Sequence, residues 1–88
     1  MFQMAKISYK ISDWRRMLWL SDTRFYQAEL QQDLFGDWIL IRHWAGRWQK
    51  NGRVVTEVLD SLNEGLSKLE ETHKRRLAHG YQLIEDHS

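Results

Sequence analysis

The chain has 88 residues, a formal net charge of +1, five tryptophans, no proline and no cysteine. This length suits one small domain with a limited core. The lack of cysteine excludes a disulfide framework, a Cys-based zinc site and thiol chemistry.

Frequent aromatics without proline argue for a folded chain rather than a disordered one. The four histidines, His43, His73, His79 and His87, are scattered. No pair at i, i+3 or i, i+4 has a third ligand, so no metal site is expected. The first residues lack an apolar run suited to a secretory leader, and no segment is long and apolar enough to span a membrane. A cytoplasmic protein without membrane attachment is therefore expected.

Residues 7–11, ISYKI, alternate apolar and polar and read as a short strand. Residues 15–20, RRMLWL, suit a buried strand or the last turn of a short helix, with the strand preferred. Ser21-Asp22-Thr23 breaks the run, because short polar side chains bond their own backbone. Residues 24–32, RFYQAELQQ, form the next strand, with Tyr26, Ala28 and Leu30 on the face expected to meet the core. The loop Asp33-Leu34-Phe35-Gly36-Asp37 follows, and Gly36 offers a position able to take positive φ.

Residues 38–44, WILIRHW, are apolar on both faces and should form an interior strand. Trp38, Leu40, Arg42 and Trp44 share one face; Ile39, Ile41 and His43 share the other. Asn51-Gly52 predicts a type I′ hairpin turn, with its partner strand over 53–59. Ser61 and Glu64 have capping-box spacing, and leucines at 62, 66, 69 and 77 mark a helix with His73 on the buried side. Gly80 suits the position just past the helix end. Tyr81 to Ile84 could return to the sheet edge, and Glu85 to Ser88 is expected to fray. The fold class is α+β: a single twisted antiparallel β-sheet with one α-helix, about 61–79, packed on one face.

Charge is unevenly spread. Residues 38–56 carry Arg42, Arg47, Lys50 and Arg53 with no Asp or Glu. Such a run either blunts a solvated hairpin edge or contacts phosphates. Lys74-Arg75-Arg76 near the helix end either complements the helix dipole or adds to a phosphate patch. No nucleophile elbow, P-loop or dinucleotide fingerprint is present, and the carboxylates are dispersed. Neither enzymatic activity nor a cofactor is expected.

Several pieces occur in an order with a family precedent. They are Phe25-Tyr26-Gln27, Asp33-Leu34-Phe35-Gly36-Asp37-Trp38, Trp44-Ala45-Gly46-Arg47, and Arg76 followed by Gly80-Tyr81. Together they resemble the WGR domain, and most closely the small stand-alone bacterial WGR proteins. The resemblance covers about residues 17–81, leaving 1–16 as an N-terminal extension or edge strand and placing the domain at 17–84. The family signature is an uninterrupted Trp-Gly-Arg, whereas Ala45 intervenes here. Either Ala45 is an insertion and Arg47 keeps the motif's place, or Ala45-Gly46 occupy the Gly and Arg positions.

The resemblance implies DNA contact. In poly(ADP-ribose) polymerases the motif tryptophan packs on a nucleotide sugar at a DNA break, and nearby basic groups hold phosphates. The residues expected to contact DNA here are Trp44, Arg47, Trp48, Arg42, Lys50 and Arg53. Binding should follow DNA structure, ends or nicks, rather than base sequence. The alternative is a protein-interaction or regulatory subunit, since aromatics and arginine also make interface hot spots. An exposed N-terminal strand could then pair across a homodimer.

Overall fold

Residues 9–49 and 51–88 are described by the structure, a computed structural model. The alternation read in residues 24–32 builds the middle strand. β2 (Arg24–Gln32) turns Tyr26, Ala28 and Leu30 inward, and Ala28 and Leu30 have no exposed surface. It is flanked by β1 (Arg15–Leu20) and β3 (Trp38–Gly46), and the outer strands are β4 (Arg53–Val58) beside β3 and β5 (Gln82–His87) beside β1. All pairs are antiparallel, in the order β4-β3-β2-β1-β5. β3 is thus an interior strand, as its two apolar faces predict.

One helix, α1 (Leu62–Ala78), covers one face of this sheet. Ser61 caps it, its Oγ accepting the Glu64 backbone N–H at 3.1 Å. Trp19, Leu30, Leu40 and Leu69 are the largest fully buried side chains and fill the helix–sheet layer. The inward stripe of α1 runs through Leu62, Leu66, Leu69 and His73 to Arg76. Leu77, expected on that stripe, is instead 49% exposed. Arg76 takes the inward place one residue earlier, three positions after His73. His73 Nδ1 accepts a hydrogen bond of 3.0 Å from the buried indole Nε1–H of Trp19. Among the described residues no helix is long and apolar enough to cross a membrane.

Three further expectations change. Of the strand read at 7–11, Ile7 and Ser8 lie outside the described residues; Tyr9 and Lys10 have no regular structure, and Ile11–Asp13 is a 3-10 turn. Buried Gln32 accounts for this local path, because its Oε1 accepts the Lys10 backbone N–H at 2.6 Å and the Trp14 indole N–H at 3.4 Å. The segment therefore closes the end of β2. Secondly, Glu85 to His87 are part of β5 and pair with β1, with Arg15–Asp86 at 2.7 Å and Arg16–Glu85 at 3.7 Å. Backbone pairing and opposite charge hold a segment whose polar composition suggests fraying.

Thirdly, the β3–β4 connection is not a type I′ turn. Among the described residues only Gly36 (φ 83°) and Gly80 (φ 85°) have positive φ. β3 continues to Gly46, so the connection spans residues 47–52. Gly52 serves close approach instead: a Cβ there would lie 2.7 Å from the Trp44 carbonyl oxygen and 2.8 Å from Ala45 Cβ. The positive φ expected at Gly36 is present.

Candidate nucleic-acid interface

The antiparallel topology gathers three chain reversals at one end of the sheet: the β1–β2 turn, the β3–β4 connection and the end of α1 leading into β5. Near this end Trp44 on β3 faces the helix side, opposite Tyr26 on β2 and Arg53 on β4. The Trp44 and Tyr26 rings stack, with centroids 5.5 Å apart and planes 11° apart. The other flank of Tyr26 meets the edge of buried Trp19 at 6.0 Å.

The helix end completes the row. Gly80 takes positive φ, the Tyr81 N–H donates to the Arg76 carbonyl at 3.0 Å, and the Gly80 N–H donates to that of Leu77 at 3.1 Å. This is the Schellman pattern, which folds the chain back on the last turn. It brings Tyr81 to Arg76, whose guanidinium lies 4.5 Å from the Tyr26 ring centre and 5.1 Å from that of Tyr81. A cation between two aromatic faces is favourable. Arg76 Nε is buried without a hydrogen-bond partner among the described residues.

Two clefts flank this row and share Tyr26, Trp44 and Arg76. The first, about 320 Å³, lies between α1 and the β3–β4 side, where Arg42, Lys68 and Arg75 join Arg76. The second, about 580 Å³, is bounded by Ser21, Arg24, His79 and Tyr81, and no carboxylate lines it. The opposite end of the sheet collects acids: Asp33 and Asp37 in the β2–β3 loop, Asp60 and Glu64 around the helix start, and Glu85 and Asp86 on β5. Among the described residues cations thus gather toward the Trp44 end and acids toward the other, where Arg15 and Arg16 neutralise Asp86 and Glu85.

Not every cation is free. Glu57 on β4 accepts from Arg42 at 2.9 Å and also from Lys68. Both bonds hold the Glu57 carboxyl below its usual 4.5, that of Lys68 most strongly. The same carboxylate raises the Lys68 ammonium above its usual 10.5. Lys74 and Arg75 make i, i+4 pairs with Glu70 and Glu71 at 3.8 and 3.5 Å, exposed and weak. The helix triplet is therefore divided: Lys74 and Arg75 face solvent and Arg76 turns inward.

The six residues singled out in the sequence are dispersed. Trp44 is half-buried and lines both clefts, while Arg42 lines one but is bound to Glu57. Arg53 is exposed at the start of β4. Arg47 follows the end of β3, its backbone N–H donating to the Thr23 carbonyl at 2.8 Å and its guanidinium to that of Ser21 at 3.3 Å. Its cationic head also sits 5.5 Å from the ring of Trp48, which is 79% exposed. Neither Arg47 nor Trp48 lines either cleft. Lys50 lies outside the described residues.

Ala45 continues β3 without a bulge: it pairs with Phe25, and Gly46 pairs with Arg24. The position two beyond Trp44, on the same face, is thus Gly46, and Arg47 falls in the turn. On the Trp44 face the arginine against the aromatic row comes from the helix, as Arg76. Tyr26, Tyr81 and Arg24 are site residues that the sequence does not single out for DNA contact, and Arg76 enters there only as one of three helix-end cations. The inward alternation of Tyr26 and the stripe spacing of Arg76 are the signals that point to them.

Among the described residues no three His, Asp or Glu side chains are grouped to hold a metal ion. No curated protein and no solved structure gives a significant match to the chain. The family model of the WGR domain matches residues 14–88, nearly the whole chain and every strand and helix described above. The chain belongs to the WGR domain family.

Proposed function

We propose that this domain binds DNA at the basic end of its sheet, through the row Trp44, Tyr26, Arg76 and Tyr81. The observation that carries the reading is Arg76. Its guanidinium is fixed between two tyrosines and lines both clefts, with Arg42, Lys68 and Arg75 beside one and Arg24 beside the other. A phosphate oxygen entering either cleft would accept charge-assisted hydrogen bonds from this guanidinium. The Trp44–Tyr26 stack offers a flat surface to a sugar or an unstacked base. Membership in the WGR family points the same way.

No recognition helix presents side chains to base edges, so DNA structure rather than sequence is the expected determinant. The proposal is for a binding module without a catalytic step. The carboxylates closest to the site, Glu57 and Glu71, are both tied to cations. The test is a tryptophan-fluorescence titration with nicked, blunt-ended and single-stranded DNA at two salt concentrations. Binding at low salt is expected, with a log–log salt slope of about −3 for roughly three phosphate contacts. No binding to any of the three at low salt sinks the proposal. Binding of a protein partner with little salt dependence would instead favour the interaction-module reading.

A further inference from the structure

The two edges of the sheet are protected very differently. On the β5 edge the register slips between Leu18 and Trp19, and Glu85, Asp86 and His87 place charge along the strand. Bulges and charges are the usual defences of a free edge. β4, with sequence RVVTEV, has neither in its middle. Its register against β3 is continuous, and Val54, Val55 and Val58 are 61, 41 and 67% exposed. Its charged side chains are Arg53 at the first position and Glu57, which turns toward α1 to meet Lys68.

The backbone direction follows from one bond. The Leu59 N–H donates to the Trp38 carbonyl at 2.8 Å, which makes these two a hydrogen-bonded antiparallel pair. Such pairs alternate along the ladder. Arg53, Val55 and Glu57 therefore direct their backbone groups at β3, and Val54, Thr56 and Val58 direct theirs outward. The outward set is palindromic: Val54-x-Thr56-x-Val58 reads the same in both directions.

We propose that the outer edge of β4 pairs antiparallel with β4 of a second copy, Thr56 opposite Thr56 on a twofold axis. Val54 of each copy then faces Val58 of the other. All three outward residues enter hydrogen-bonded pairs, and their β-branched side chains form one continuous stripe on the face away from α1. Val55 falls opposite Glu57, so no like charges meet directly. A one-residue slip sets inward-directed backbone groups against outward ones. Moving the axis to Val55 leaves Val58 beyond the end of the facing strand. The product is a continuous sheet with both helices on one side, held by a small contact and hence concentration-dependent. This inference does not rest on the DNA reading.

The test is sedimentation equilibrium of the whole chain, without nucleic acid, at concentrations up to about 1 mM. It is joined to hydrogen exchange of the Val54, Thr56 and Val58 amides. Dimerisation with concentration and parallel protection of these three amides are expected. Thr56→Pro removes an outward N–H and leaves the β3–β4 ladder intact. It should be monomeric with unchanged circular dichroism. If that variant does not fold, Val58→Lys, which places charge on the exposed stripe, should give the same result. A chain monomeric at every concentration overturns the proposal, even if it captures a strand from another protein. So does a dimer in which these amides exchange freely, or one that folded Thr56→Pro leaves unweakened.

Discussion

Gly65 of α1 and Leu30 of β2 lie so close that a Cβ on the glycine would fall 2.4 Å from Leu30 Cδ1. Leu30 is fully buried and Leu59 Cδ1 crowds the same point at 2.9 Å, so two core side chains would have to shift to admit it. The helix rests on the sheet at this contact.

Gly65→Ala should therefore destabilise the domain. Helix propensity alone would favour alanine by about 1 kcal/mol. Overpacking a closed core costs roughly 1–3 kcal/mol and should outweigh it. Urea denaturation should show a lower midpoint in the alanine variant. An unchanged or raised midpoint would mean that the helix can ride up at no cost.

His73 and Trp19 yield a second expectation. The Trp19 indole N–H has His73 Nδ1 as its acceptor, which places the neutral imidazole's proton on Nε2. His73→Phe keeps bulk but leaves a buried donor unpaired, at a cost of about 1–3 kcal/mol. His73→Gln offers a carbonyl acceptor and should recover part of that loss. Equal destabilisation by the two variants would show that shape rather than the hydrogen bond matters.

The Glu57 bridge has a signed pH dependence. Its carboxyl is held below the usual 4.5, so its stabilisation is present above that value and lost as pH falls through the depressed one. The Lys68 ammonium is held above 10.5, so its part is present below that value and lost as pH rises through the raised one. Between these limits the bridge should contribute a constant and small amount, because exposed pairs are screened by solvent. Glu57→Gln should leave neutral-pH stability nearly unchanged while freeing Arg42 and Lys68 beside the first cleft. DNA affinity should then rise several-fold with a steeper salt slope; a fall in affinity would place the DNA elsewhere.

On the proposed DNA-binding reading, two arginines compete for the role of phosphate anchor. Arg76 sits in the aromatic row, and Arg47 is braced against Ser21 and Trp48 outside both clefts. Arg76→Gln should weaken DNA binding by tenfold or more, about 1.4 kcal/mol. Arg47→Gln should weaken it by less. The reverse order would return the anchor to the turn.

Much of the fold was legible in the sequence because its periods were clean. The alternation in residues 24–32 and the Ser61 cap correspond closely to β2 and the start of α1. The Asn51-Gly52 signal misleads because a two-residue turn there needs β3 to run on to the residue before it, whereas its pairing with β4 ends at Trp44–Arg53. Pairing of Ala45 and Gly46 with β2 carries β3 two residues further. The site was half legible. Trp44, singled out by the resemblance, lines both clefts, but Arg76 stands among helix cations and only its stripe spacing marks it as turned inward. Arg76 is distinguished from Lys74 and Arg75 only by helix phase against a tyrosine 50 positions away.

The separation of charge along the sheet bears on how the molecule approaches a ligand. With a formal charge of +1, it feels little net pull toward a polyanion. It does feel a torque, because cations gather toward one end of the sheet and unpaired acids toward the other. The α1 macrodipole opposes this by only about half a charge at each end. Rotation ahead of contact would present the Trp44 end first and raise the fraction of productive collisions. The association rate should then fall with added salt even for a protein that hardly migrates in an electric field.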